Sequence, residues 1–283
     1  MSTSRILLAT NPGNGSTAVS LKSHPALRTN GYVWSKTFEE MWQFPNCIGA
    51  LGGKHIAIKA PSGEGLSYYN YKHFHSIILL ALVDANLKFL YVDVGANGRS
   101  GDAGVFRDSP LFQGLERKSL NVPRDKPLPG MDQPTPHVIV GDDAFPLKTY
   151  LMKPYPDKGD VGLKEKMQSR IFNYRLSRAR RYSKNAFVTL CQRFGIFQSA
   201  INLTPDKAIL VTQTAICLHN FLITERNRSY NNRTQELTMQ QDSLTSLAYH
   251  KANRSADNAR QIRDLFKQYV NGPGAVPWQK NHI

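Results

Sequence analysis

Among the side chains able to do chemistry, the carboxylates of Asp102, Asp142 and Asp143 and a run of basic residues from Arg170 to Arg193 stand out by position. Carboxylate oxygens suit hard cations such as Mg²⁺ or Mn²⁺. The same residues also fit plainer roles. Asp102 opens a helical stretch, and Asp142-Asp143 follows Gly141 at the end of an apolar run, where Asp is favoured in turns. The basic run holds Arg170, Arg175, Arg178, Arg180, Arg181, Lys184 and Arg193. It reads as a solvated face or as a rail for phosphates, and phosphate contact is the reading adopted for Arg175, Arg178, Arg180, Arg181 and Lys184. Tyr174 and Tyr182 lie among these arginines and suit base stacking or core packing. His73 and His75 have strand spacing without a third ligand, and His219 reads as a core histidine.

Several elements must position these groups. Residues 1–33 show no apolar period and are expected to form a disordered arm. Phe38, Met41 and Trp42 then predict a short helix, followed by strands over Ile48–Ile58, His75–Val83 and Leu87–Val94. The second strand is apolar on both faces and should be central, with Asp84-Ala85-Asn86 as its hairpin turn. A helix over Asp102–Leu115, a proline-rich excursion and a strand at His137–Val140 come next. A long basic helix over Ser169–Phe194 precedes an all-round apolar, buried helix over Pro205–Leu222. The divisions expected are thus an arm (1–33), an α/β domain (34–224), and a polar linker with a last amphipathic helix (225–283).

The whole chain carries 36 Lys plus Arg against 21 Asp plus Glu, a net +15 with an isoelectric point near 9.8. Such a balance favours polyanions, DNA first, through release of counterions. Cys47, Cys191 and Cys217 lack metal or disulfide spacing, which fits a reducing compartment. No run approaches the ~18 apolar residues of a membrane span, and no small-molecule cofactor motif is found.

The motifs go further. Phe44-Pro45-Asn46-Cys47-Ile48-Gly49-Ala50-Leu51-Gly52-Gly53-Lys54-His55-Ile56 resembles the opening nuclease motif of Harbinger-type transposase-derived proteins. The likeness continues through Tyr71-Lys72, Phe74-His75-Ser76, Val83-Asp84-Ala85, Gly141-Asp142-Asp143, Phe172 through Arg181, Asn185-Ala186-Phe187 and Cys217-Leu218-His219-Asn220, with Val276-Pro277-Trp278-Gln279 resembling the ending. The resemblance implies an α/β, ribonuclease-H-like DDE core, a mixed sheet flanked by helices with extra C-terminal helices. It also implies a divalent metal, Mg²⁺ or Mn²⁺, that hydrolyses DNA phosphodiesters between acidic ligands.

Of the four acidic positions it carries over, the first falls on Gly52 and the fourth on Lys184, while Asp102 and Asp142, with Asp143 beside it, are retained. The expectation is therefore an impaired nuclease, or a non-catalytic DNA-binding or protein-binding descendant, with the metal lost or weakly held. Asp143, Asp84 and Asp93 are the candidate substitutes for a missing ligand, and Lys54 and His55 flank the motif. A separate Myb-like partner supplying DNA recognition, and a nuclear location with a cytoplasmic one as the alternative, are further implications of the resemblance.

Overall fold

Ser76–Val83 carries apolar residues on both faces because both are covered. In the computed structural model it is buried at every position, with a strand on each side. The structure describes residues 7–10, 17–20, 26–63, 66–156, 162–229 and 257–282. The strands are β1 (Leu7–Thr10), β2 (Thr17–Ser20), β3 (Cys47–Ala57), β4 (Ser76–Val83), β5 (Phe89–Asn97), β6 (Lys126–Pro127), β7 (Pro134–Thr135), β8 (Val138–Val140) and β9 (Leu151–Met152). The main sheet runs β1-β2-β5-β4-β3-β8-β9. β3, β4 and β5 are antiparallel neighbours, and β8 and β9 run parallel to β3. Three antiparallel strands, then two parallel to the first, is the ribonuclease-H-like order, so the expected α/β class holds.

The helices are α1 (Ala26–Trp42), α2 (Asp102–Asp108), α3 (Pro110–Glu116), α4 (Leu163–Arg193), α5 (Pro205–Ser229) and α6 (Asp257–Asn271). One face of the sheet packs Leu51, Ile78, Leu80 and Leu82 against Val105, Phe106 and Leu111 of α2 and α3. The other packs Leu79, Ala81 and Val83 against Ala186, Phe187 and Leu190 of α4 and Ile209 and Ile216 of α5. α4 reaches across with Phe172, Leu176, Ala179, Ser183, Ala186, Phe187 and Leu190, a three-and-four spacing that keeps one stripe on the core.

Four expectations change. The arm over 1–33 contains β1, β2 and the first turns of α1, which starts at Ala26. The helix from Asp102 breaks in two, because Pro110 cannot continue it and the buried, extended Ser109 accepts the Phe112 amide as a new cap. α5 is buried on one side only, with Leu210 and Phe221 57% and 60% exposed on the other. By length and composition α5 is also apolar enough to cross a bilayer. Its packing is that of a core helix: His219 Nε2 lies 2.9 Å from the Leu87 carbonyl, and Asn220 exchanges two 2.9 Å bonds with the backbone of Phe89. Lastly, α6 is part of the core rather than an appendage, its Phe266 ring stacked 5.4 Å from Phe44.

Candidate active site

Two adjacent glycines in β3 set the geometry, because consecutive strand residues face opposite sides of a sheet. A Cβ on Gly52 would lie 2.9 Å from Ser183 Oγ and 3.4 Å from the Phe187 ring, so α4 has closed over this position. A Cβ on Gly53 would lie 2.5 Å from Cγ of Asp102, so the carboxylate occupies the space that only glycine leaves open. Asp102 is the first residue of α2 and is 8% exposed. Among the described residues its carboxylate makes no hydrogen bond or ion pair.

Asp142 arrives on the neighbouring parallel strand. Ala50 pairs with Val140, so Asp142, two residues beyond, comes level with Gly52. One carboxylate oxygen accepts the Ala144 amide at 3.2 Å, which is the ordinary turn role, and the other accepts Arg180 Nη1 at 3.2 Å. Lys184 follows Arg180 by one helical turn and shares its face.

Burial first, then the charge of Asp142, pushes Asp102 up to about 6 against the pull of Lys72. Asp142 is also raised: burial outweighs the Arg180 guanidinium that pairs with it, the Ala144 amide and Lys184. Lys184 is pushed down by burial and by Arg180, partly offset by Asp142. Two carboxylates and two cations thus lie close enough to shift one another's charge.

The raised pKa gives a pH prediction. The folded state holds the Asp102 proton more tightly than the unfolded chain, so this group's contribution to stability falls as pH rises from about 4 to about 6 and stays unfavourable above. Asp102→Asn removes that penalty and is expected to stabilise the fold by about 2 kcal/mol at pH 7.5 and by little at pH 4.5. Thermal melts of both proteins at the two pH values check it, and equal shifts at both would contradict it.

The residues do not fit a pair of divalent ions. Among the described residues no group of three or more His, Cys, Asp or Glu side chains is placed to hold a metal. Asp143, expected as a ligand, is exposed at the turn. Asp84 instead accepts the amides of Asn86 and Lys88 at 2.8 Å in the β4–β5 turn. Asp93 lies in β5, two strands from Gly53 across Leu80.

The five basic residues expected to bind DNA divide. Arg175 is 0% exposed and is committed to Gly274, Gln279 and Gln43, so it has no face for phosphate. Arg178 stacks on Trp278 at 3.9 Å, Arg180 pairs with Asp142, Lys184 is half-buried beside them, and Arg181 is exposed. Tyr182 packs 4.3 Å from Trp42 and Tyr174 edges onto Trp278, both in protein contacts. His73 stands in a turn with φ 65°, outside any strand. Tyr71 and Lys72, a motif segment to which the sequence assigns no role, lie within electrostatic reach of Asp102.

The model of the DDE superfamily endonuclease family matches residues 51–220. A protein named ALP1-like from Arabidopsis thaliana is 30% identical over 211 residues, 72% of this chain and 49% of its own length. The candidate nuclease HARBI1 of Bos taurus is 28% identical over 179 residues, 62% and 46% respectively. Antagonist of like heterochromatin protein 1 of Arabidopsis thaliana is 26% identical over 193 residues, 66% and 46%. The chain spans about half the length of the curated relatives it matches. No solved structure matches it. The match runs from β3 to α5 and takes in both glycines, both acids and the basic helix, and with this coverage the chain belongs to the DDE superfamily endonucleases, in line with its Harbinger-type motifs.

Proposed function

We propose that this chain binds DNA on a DDE nuclease scaffold whose hydrolytic centre is impaired. The ion pair of Arg180 with Asp142, 3.2 Å long and flanked by Lys184, carries the reading. The superfamily uses divalent metal between carboxylates. Here side-chain cations meet the carboxylate instead, and Ser183 fills the space at Gly52. The net charge of +15 and the exposed Arg181 support retention of phosphate contact. A nuclear location and a separate Myb-like partner that supplies sequence recognition belong to the same proposal.

Duplex binding by the full chain, followed by fluorescence anisotropy across salt concentrations, tests it. Affinity should fall linearly on a log–log plot, with Arg181→Ala lowering the slope by about 1. The same preparation should leave supercoiled plasmid intact in Mn²⁺. Nicking that disappears in an Asp102→Ala, Asp142→Ala variant would sink the impaired reading and restore the nuclease one.

A further inference from the structure

A second feature adjoins the acidic pair. The turn from Asn70 to Ser76 is built around the side chain of Asn70, which is 3% exposed. Its Oδ1 accepts the Lys72 amide at 2.9 Å and the Phe74 amide at 3.3 Å, and its Nδ2 donates to Ser76 Oγ at 2.9 Å. Ser76 Oγ in turn lies 2.9 Å from His55 Nδ1. This network fixes the base of the turn and leaves its tip, Tyr71 and Lys72, in solvent.

Three contacts place that tip beside Asp102. His55 lies two residues beyond Gly53 on the same face of β3, and Gly53 carries the Asp102 carboxylate. The Tyr71 ring meets His55 edge-on, with centroids 5.6 Å apart. Gly98, in the loop that leads to Asp102, packs on the same turn: a Cβ there would lie 2.5 Å from the Tyr68 carbonyl oxygen and 2.6 Å from that of Ser76. The charge of Asp102 reaches the Tyr71 hydroxyl, which burial and that charge together push up.

Tyr71 is nonetheless 53% exposed, and Lys72 Nζ stands 5.6 Å from its ring centroid. An exposed ring with a cation beside it matches what unpaired nucleotides require, a flat surface for the base and a charge for its phosphate. A base inside a duplex has both faces occupied by its neighbours and cannot use such a ring.

We propose that Tyr71 and Lys72 form a subsite for one unpaired nucleotide next to the acidic pair, Tyr71 stacking on the base and Lys72 contacting the phosphate. The inference rests on the nucleic-acid reading above and adds the strand state that the site prefers.

The test uses the full chain and two DNA probes, a blunt duplex and the same duplex carrying a short single-stranded flap with 2-aminopurine. Native protein should bind the flapped probe more tightly and change its 2-aminopurine fluorescence. Tyr71→Ala should weaken flap binding by roughly tenfold and abolish the fluorescence change, as loss of one stacking contact implies, while Tyr71→Phe stays within about twofold of native. Lys72→Gln should lower the log–log salt slope by about 1. If Tyr71→Ala binds the flap as native does, while both still bind duplex, the subsite is wrong and the DNA-binding reading stands. If native protein binds neither probe, both fall.

Discussion

Arg175→Ala is expected to cost about 3–5 kcal/mol of stability and to lower the melting temperature by roughly 6–15 °C, the largest stability effect of any basic residue on α4. Arg175 is the largest fully buried side chain among the described residues. Its Nη1 donates to the Gly274 carbonyl at 3.0 Å and to Gln279 Oε1 at 2.9 Å, and its Nη2 donates to the Gln43 carbonyl. Gln279 passes the link on, its Nε2 donating to the Val270 carbonyl at 2.9 Å. Removing the guanidinium leaves the buried Gln279 oxygen and two part-buried carbonyls without their donor, a buried one worth about 1–3 kcal/mol when unsatisfied and the three less than additive together. Burial pushes Arg175 down to about 10, so it remains charged at neutral pH. Lysine should not rescue, because one ammonium on a flexible stem cannot span acceptors arranged for a planar fork. A melting temperature within about 2 °C of native for Arg175→Ala would show that this latch does not hold the C-terminal segment.

The second large effect concerns metal. Gly52→Asp and Lys184→Glu together restore the two acidic positions that the family motif carries, but Gly52→Asp meets Ser183 Oγ at 2.9 Å from its Cβ. Ser183→Ala removes that oxygen and leaves the Ser183 Cβ at 3.3 Å as the nearest atom, at the cost of its 3.0 Å bond to the Arg180 carbonyl. The triple variant changes the charge of the cleft by three units towards negative. One unit pair at ~4 Å is worth about 4 kcal/mol at an effective dielectric of 20, and each 1.4 kcal/mol is about tenfold in affinity. Mn²⁺ affinity should therefore rise by at least roughly a hundredfold. Arg180 is expected to give up Asp142 when the ion binds, which absorbs part of the gain.

Much of the frame was legible. β4 declared itself by apolar residues on both faces and the β4–β5 hairpin by its Asp84-Ala85-Asn86 turn, whereas the order of the sheet came from the family resemblance. Asp102 and Asp142 were found through motifs, and the structure brings them within electrostatic reach of each other. The α2–α3 break was also written in the chain, since Ser109-Pro110 forbids a continuous helix, yet the apolar stripe obscured it. Charge alone could not sort the arginines of α4. Helical position could have done so: Arg175 falls four residues from both Ile171 and Ala179, on the stripe that faces the core, whereas Arg181 falls off it. The Gly53 contact with Asp102 and the closure of Ser183 over Gly52 are tertiary facts between segments far apart in sequence, for which no local pattern exists.

Whether the acidic pair holds a divalent ion is tested directly by Mn²⁺ titration calorimetry at pH 7.5, on the native full chain beside the Gly52→Asp, Ser183→Ala, Lys184→Glu variant. The cation-filled cleft predicts no measurable binding at the acidic pair of the native protein and clear binding by the variant. Tight Mn²⁺ binding by the native protein, lost in Asp102→Ala, Asp142→Ala, would contradict it.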